Sequence, residues 1–159
     1  MLTKDYLHEM FDYKDGHLYW KNAYKNITNG QKAGSLHPEG YVRIKLNKST
    51  YGAHRLIFMM HHGYLPIFLD HINGNRSDNR IENLREATKA ENRMNSKIAS
   101  NNKSGIKNVN WHKKSNKWVV QLGVNGKKMN FGTYFDLEVA KFVAETMRHK
   151  YHGQFSRSV

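Results

Sequence analysis

The sequence predicts an α+β protein made of two small domains. Apolar residues repeat with a period of two in some stretches and near 3.6 in others, so strands and helices alternate along the 159 residues. A polar segment over residues 96–104 separates two groups of such elements. Beyond it, the patterns indicate three strands and then one helix. We therefore expect one domain over residues 1–98, and a linker with a second domain over residues 99–159.

The first domain is predicted to open with a short helix over residues 3–11, for which Thr3 is a suitable N-cap. A strand is expected over residues 17–20, directly after a turn signal. Residues 41–46 alternate between polar and apolar side chains, which is typical of a half-buried strand. An apolar helix should follow over residues 54–62, because glycine and proline come soon after it.

The centre of the chain reads as strand, long polar loop, strand and helix. A short apolar run over residues 68–72 is interrupted by Asp70 and His71. Residues 73–75 are asparagine and glycine and favour a loop, and a second strand is expected over residues 84–87. A helix over residues 89–95 is predicted from a capping box, with Thr88 as the cap and Glu91 at the third helical position.

The second domain is predicted to be a three-stranded antiparallel sheet packed on one helix. Strands are expected over residues 107–112, 117–124 and 128–131, and an Asn-Gly pair at 125–126 indicates a tight hairpin between the last two. Asp136 should cap a helix that extends to about residue 151. Its apolar stripe, predicted to pack on the sheet, comprises Ala140, Val143, Ala144 and Met147.

The charge of the chain indicates a polyanionic partner. There are 26 lysines and arginines against 13 acidic residues, a formal net charge of +13. Residues 99–159 hold 11 of the basic and 3 of the acidic side chains, and residues 99–131 hold seven lysines and no acid. Such asymmetry is typical of nucleic-acid binding, although a lysine-rich solubilising face or a membrane surface could account for the same charge.

Composition also excludes several classes of protein and site. The chain has no cysteine, so disulfides and zinc-thiolate sites are ruled out. A membrane span is not expected, because no run of about 18 apolar residues exists. The first residues lack the apolar core of a signal peptide, so we expect a cytoplasmic protein with no membrane partner and no obligate protein partner.

The residues that carry chemistry lie between positions 70 and 92. An Asp-His pair at 70–71 is followed by a glycine-bearing polar loop, then by Asn83 and by Asn92. This order resembles the His-Asn-His (HNH) motif of phage homing endonucleases, with a motif core over residues 54–95. In that family two short strands and a helix surround one divalent ion, so the resemblance implies a ββα-metal nuclease fold. Without the resemblance, the same residues are a turn and loop caps, because asparagine is common in both.

The resemblance implies a role for each residue of the motif. His71 activates water, Asp70 and Asn92 hold the metal, and Asn83 orients the loop. Elementary chemistry agrees, because a neutral imidazole can accept a proton near neutral pH and oxygen ligands suit Mg²⁺ or Mn²⁺. Asn92 stands where the family name has its last histidine, and we interpret it as a ligand variant that holds the metal more weakly.

Further residues near the motif are candidates for support or for phosphate binding. His54 is expected to support the site, although it could instead cap its own helix. Arginines beside the motif are candidate DNA contacts, and each alone could equally be a solvated surface charge. These arginines are Arg55, Arg76, Arg80 and Arg93.

Residues 104–155 resemble the Apetala-two/ethylene-response-factor DNA-binding domain of plants. The most specific match is the Phe-Gly-Thr at residues 131–133. That fold lays a three-stranded sheet into the major groove, which is wide enough to admit such a ribbon. The matched positions imply DNA contacts from Lys107, Asn110, His112, Lys114, Lys117, Gln121, Lys128 and Thr133. The base preference of plant domains does not carry over, since several of their arginines are replaced here.

Together these features predict a site-preferring, metal-dependent endonuclease of the homing HNH type that acts on double-stranded DNA, in the host cytoplasm if it is phage-encoded. A non-catalytic DNA-binding regulator with a decayed nuclease motif is the main alternative. An RNA-binding protein is a third, because basic charge and exposed aromatic residues also suit RNA.

Overall fold

The computed structural model of the chain describes residues 2–22 and 27–156, and in it the chain folds as two units, Met1–Ala87 and Thr88–Val159. Within the described residues there are four α-helices and four small antiparallel sheets, so the predicted mixed α+β class is confirmed. The division expected after residue 98 and the ββα-metal arrangement of the nuclease part both stay predictions.

The first unit begins with helix α1 (Lys4–Met10), which starts where the sequence predicts because the Thr3 hydroxyl accepts a hydrogen bond from the Tyr6 amide at 3.2 Å. Strands β1 (Phe11–Lys14) and β2 (His17–Trp20) form a hairpin. Its turn is Asp15-Gly16, and both residues adopt positive φ, as a tight two-residue hairpin turn requires.

A second small sheet has the strand order β3-β4-β5, with β3 at Ser35–Leu36, β4 at Val42–Leu46 and β5 at Ser49–Gly52. The alternation predicted for β4 is confirmed, because Ile44 and Leu46 are buried whereas Lys45 is exposed. Helix α2 (Ala53–His62) follows directly and ends at Gly63 in the left-handed conformation. The centre of this core comprises Leu7, Leu18, Ile44, Leu46, Leu56 and Ile57.

The third sheet of the first unit is a two-stranded hairpin, which carries the central motif. Strand β6 (Phe68–His71) pairs antiparallel with β7 (Leu84–Ala87), and a 3₁₀ turn at Ile81–Asn83 leads into β7. The long polar loop predicted between the two strands therefore spans residues 72–80 and projects from one end of the hairpin.

The second unit begins with helix α3 (Lys89–Met94), and its predicted capping box is confirmed by reciprocal hydrogen bonds between Thr88 and Glu91. Strands β8 (Val109–His112), β9 (Lys117–Val124) and β10 (Lys127–Tyr134) form a sheet with β9 in the middle. The β9–β10 turn is Asn125-Gly126, with positive φ at both positions as predicted.

Helix α4 (Leu137–His152) packs on this sheet and is capped by Asp136. The predicted stripe is confirmed, because Ala140 and Ala144 are fully buried and the rest of the stripe packs against the same core. This core is built around Val109, Val120 and Leu122.

Two expectations about the segment before β8 are corrected. Strand β8 begins at Val109 and not at residue 107, because Asn108 takes a positive φ of 70° and turns the chain. The end of the expected linker is also structured. The Asn102 side chain donates to the Ile106 and Val109 carbonyls, and the Ser104 hydroxyl lies 3.0 Å and 2.8 Å from the same two oxygens, so this part is tied to the start of β8.

Candidate active site

Asp70 and His71 occupy the last two positions of β6, where the strand leads into the polar loop. Both are buried, with exposed fractions of 6% and 4%. A strand projects consecutive side chains to opposite faces, so the two residues point to different sides of the hairpin. Burying a charge-bearing carboxyl and an imidazole is costly unless each has polar partners, and the hairpin supplies them.

The partner of Asp70 is Arg85, which lies directly opposite it on β7. Arg85 donates to Oδ2 of Asp70 from Nε at 3.0 Å and from Nη2 at 2.9 Å. Both side chains are largely shielded from solvent. The ion pair therefore compensates the buried carboxylate, and it fixes the orientation of the carboxylate at the mouth of the loop.

The imidazole of His71 is held by Asn79, a residue that the sequence analysis did not single out. His71 Nε2 lies 3.0 Å from Oδ1 of Asn79, and both residues are buried. An amide oxygen only accepts, so Nε2 carries the proton and donates, and Nδ1 carries the lone pair. Burial lowers the pKa of His71 below its usual value, and the bond to Asn79 raises it by a smaller amount. The ring is therefore a neutral base at neutral pH.

Asn83 fastens the two ends of the loop to each other. Its Oδ1 accepts from the backbone amide of Asn73 at 3.0 Å, while its Nδ2 donates to Oδ1 of Asn73 at 3.0 Å and to the carbonyl of Asp78 at 2.7 Å. The backbone amide of Ile72 also donates to the Asn83 carbonyl at 2.9 Å. Three of these bonds hold residues 72 and 73, directly after His71, and the fourth holds Asp78, directly before Asn79.

A second imidazole lies beside His71. The ring centroids of His54 and His71 are 5.2 Å apart, and Tyr41 lies 5.2 Å from His54 and 6.1 Å from His71. Burial, together with smaller effects of the neighbouring His71, Arg55 and Arg43, lowers the pKa of His54 to about 3. His54 is therefore neutral at any pH at which the protein would act.

Gly52 makes room for this second imidazole. A Cβ at position 52 would lie 2.5 Å from Cε1 of His54, well inside contact distance. The sequence placed His54 in a supporting role, which stays a prediction. The structure brings it into the same cluster as His71.

The three arginines predicted near the motif in the first unit have different surroundings. Arg76 is exposed; its guanidinium stacks 4.8 Å from the Tyr41 ring centroid and donates to the Glu39 carbonyl. Arg55 is half-buried and donates to the carbonyl of Pro66 at 3.1 Å. Arg76 is thus the one of these two whose guanidinium lies at the surface next to the imidazole cluster.

Arg80 is occupied by an acidic neighbour. Its Nε and Nη2 each lie 2.8 Å from a carboxylate oxygen of Asp78, and this pairing holds the pKa of Asp78 well below its usual range. A phosphate contact from Arg80 would have to compete with that carboxylate.

Two of the residues predicted around the motif itself, Asn92 and Arg93, lie in the second unit. Both are on α3, where Asn92 is half-buried and Arg93 is exposed.

A family comparison bears on this site. The sequence of residues 51–94 matches the family model described as HNH endonuclease, a segment that includes Asp70, His71, Asn83 and Asn92. Protein 3.8 of Escherichia phage T7 is 38% identical over 90 residues, which cover 57% of this chain and 74% of that protein. The chain belongs to the HNH endonuclease family. No solved structure matches.

The HNH segment thus includes the buried His71 and its hairpin. The family match supports a nuclease activity. Among the described residues no group of three or more histidine, cysteine, aspartate or glutamate side chains could hold a metal ion. No helix of the described chain is long and apolar enough to cross a membrane.

The DNA contacts predicted in the sheet of this HNH protein fall mostly on one surface. Strand register places Asn110 opposite Val119, Val119 opposite Thr133, and Gln121 opposite Asn130, all on the side of the sheet that faces away from α4. This surface, here called the outward sheet face, also includes Lys128, which pairs with Gly123.

The other predicted contacts of the sheet lie around the β8–β9 turn. His112 and Lys114 are exposed there, with His112 Nδ1 2.9 Å from the Ser115 hydroxyl. Lys117 is half-buried, with its ammonium 4.3 Å from the Phe135 ring centroid.

Lys107 is engaged within the protein, and its DNA contact stays a prediction. Its side chain is only 9% exposed, and its ammonium donates to the carbonyls of Met94 and Ser96, each at 2.6 Å. Both acceptors are at the C-terminal end of α3. The ammonium therefore stabilises the end of that helix.

Proposed function

We propose that this protein is a metal-dependent, site-preferring DNA endonuclease of the homing HNH type. The observation that carries the proposal is the buried His71 imidazole, which Asn79 holds with its basic nitrogen at Nδ1. His71 directly follows the buried Asp70 in a segment that matches the family. A decayed motif would be expected to lose one of these parts first, because each costs free energy to bury.

In the proposed reaction His71 is the general base. Phosphodiester hydrolysis needs a group that removes a proton from water as the oxygen attacks phosphorus. The neutral imidazole can accept that proton at Nδ1 because Nε2 already donates to Asn79. The resulting imidazolium would keep the Asn79 bond and strengthen it, since a charged donor binds an amide oxygen more tightly. Asn83 would act by holding the loop so that the ring keeps this orientation.

Asp70 and Asn92 are the proposed ligands of a divalent ion, Mg²⁺ or Mn²⁺. The donor chemistry fits such an ion. Mg²⁺ prefers oxygen ligands, usually takes only a few of them from the protein and keeps several bound water molecules. When bound, the ion would supply Lewis-acid stabilisation of charge on the phosphate and the departing oxygen. The ion pair with Arg85 orients the Asp70 carboxylate and makes it a weaker ligand, since the two cations share one anion.

The second unit is the proposed DNA reader. Four of the side chains that the plant-domain resemblance implies as contacts share the outward sheet face, namely Asn110, Gln121, Lys128 and Thr133. Asparagine and glutamine amides can form paired hydrogen bonds with adenine in the major groove. The phage origin of the matching protein suggests that the enzyme acts in the cytoplasm of a host cell.

Cleavage of supercoiled plasmid DNA, measured with Mn²⁺ and with a chelator, tests the proposal. We expect cleavage that depends on metal and that His71→Ala abolishes, while the variant still binds DNA. His149→Ala is the matched control, because His149 is exposed on α4 and far along the chain from the motif. DNA binding by the wild type without any cleavage in Mg²⁺, Mn²⁺, Co²⁺ or Ni²⁺ would support the non-catalytic regulator instead.

A further inference from the structure

A cleft of ≈ 730 Å³ lies within the second unit, apart from the hairpin that carries His71. Helix α3 forms one wall through Lys89 and Arg93. The end of β9 and the start of β10 form the other wall, with Lys127 and Lys128 just after the Asn-Gly turn. The cleft is partly open to solvent.

The cleft is cationic on both walls. Lys89, Arg93, Lys127 and Lys128 are all exposed, and no aspartate or glutamate is among the residues that line the cleft. Within residues 2–22 and 27–156, none of these four cations forms an ion pair. Facing walls of one sign focus the field into the gap and attract an anion there.

Hydrogen bonds from Lys107 hold the α3 wall in place. Lys107 binds the last carbonyls of α3, and the Lys107 carbonyl in turn accepts from Nη1 of the buried Arg148 on α4 at 2.6 Å. A six-residue helix is not stable alone. This chain of hydrogen bonds ties it to the long helix of the unit, so the two cationic walls are fixed before any ligand arrives.

We infer that this cleft binds consecutive phosphodiester groups of a DNA strand, as a backbone-holding site beside the base-reading surface. Gln121 and Lys128 line the cleft and also belong to the outward sheet face, so one DNA molecule could occupy both. The described lining contains no phenylalanine, tyrosine or tryptophan, and its one histidine, His152, is buried, so no exposed ring is offered for a base to stack on and the ligand is the backbone and not a free nucleotide. The inference rests on the proposed function only in taking DNA as the ligand.

The test is the salt dependence of binding to a random-sequence DNA duplex, measured with the full chain in a chelating buffer so that no cleavage can occur. Each phosphate contact contributes about 0.9 to the slope of log affinity against log salt concentration. We expect the double variant Lys89→Gln/Lys127→Gln to flatten that slope by about 1.8 relative to the wild type. The double variant Lys89→Arg/Lys127→Arg keeps both charges and should retain the wild-type slope.

The matched control is Lys97→Gln/Lys103→Gln, which removes the same charge from two exposed lysines outside the cleft and should leave the slope nearly unchanged. Equal flattening in the cleft and control variants would overturn the inference, because it would show a general charge effect. Tighter binding of an RNA duplex of the same sequence, or saturable binding of inorganic phosphate that the cleft variant loses, would also overturn it. Failure of the proposed nuclease activity would not affect these readouts, since they are taken without metal.

Discussion

At the scale of single residues, the contact between His71 and Asn79 determines how the proposed base titrates. Burial lowers the pKa of His71 from its usual value of 6.5, and the Asn79 bond partly offsets this effect. A general base works in its neutral form, so its activity falls as the pH drops through its pKa. We therefore expect the acid limb of the pH–rate profile to have its midpoint below pH 6.5.

Asn79→Leu should move that midpoint to still lower pH, because it removes the contact that raises the pKa of His71. The plateau rate should fall as well, by up to about a hundredfold, since an unheld ring loses the alignment that a positioned base provides. Cleavage measured from pH 4 to 9 at saturating Mn²⁺ would show both effects. A midpoint that moves to higher pH, or a variant with the wild-type profile, would contradict this role for Asn79.

Arg85 provides a second prediction at this scale. Breaking a buried ion pair by removing one partner typically costs about 3–5 kcal/mol of stability. We expect Arg85→Met to lower the melting temperature in metal-free buffer, because Asp70 would be left as a buried charge without its partner. A ligand that binds only the folded state stabilises it, so Mn²⁺ should raise the melting temperature of the variant more than that of the wild type.

Arg80→Met is the control for this experiment. It removes an arginine that pairs with Asp78 at the protein surface, so it should change stability much less and leave the Mn²⁺ effect as in the wild type. An equal Mn²⁺ effect in Arg85→Met and in the wild type would argue against Asp70 as a metal ligand.

At the scale of secondary-structure elements, helix α3 depends on its ends. Its N-terminus has the Thr88–Glu91 capping box, and its C-terminal carbonyls bind the ammonium of Lys107. We expect Lys107→Met to fray the last turn, seen as faster amide hydrogen exchange of residues 93–96. Lys107→Arg keeps donors at this position and should restore part of the protection.

The same variant decides between the two roles of Lys107. Lys107→Met should speed exchange at α3, and any change in the salt slope of DNA binding should accompany that fraying, while exposed Lys103→Met changes neither. A shallower salt slope with unchanged exchange would return Lys107 to the DNA contact that the sequence resemblance implies.

The elements that the sequence predicted well are those with strong local signals. The capping box of α3, the Asn-Gly turn and the apolar stripe of α4 each depend on residues within a few positions of one another. Strand β5 was missed because its first three residues are not buried and give no alternation. Strand β1 was missed because Phe11 is its one buried residue, so its pairing with β2 is what defines it.

At the scale of the whole molecule, the candidate site also combines residues that local sequence reveals with residues that only the fold brings in. Asp70, His71 and Asn83 could be found in the sequence because one hairpin holds them all. His54 lies on α2 and was already expected to support the site, whereas Tyr41 precedes β4 and was not predicted there. Arg85 became a partner of Asp70 only through the register of two strands. Asn79 stands in a run of polar residues, and nothing local separates it from its neighbours.

The positive charge of the molecule is divided unequally between the two units. Residues 88–159 hold 14 basic and 4 acidic side chains, whereas residues 1–87 hold 12 and 9, so the second unit has +10 of the formal +13. Long-range attraction of DNA would therefore act mainly on the second unit, and the first unit would approach the strand afterwards.

The bond between Lys107 and the end of α3 also determines where this protein can be recombined with its relatives. A chimera joined within the polar stretch at residues 96–104 would keep α3 from one parent and take Lys107 from the other, separating a helix from its stabilising cation. A breakpoint before Thr88 keeps them together. Asn92 would then be inherited with the second unit and not with His71, so a transplanted second unit would have to bring its own residue for the proposed metal-ligand position.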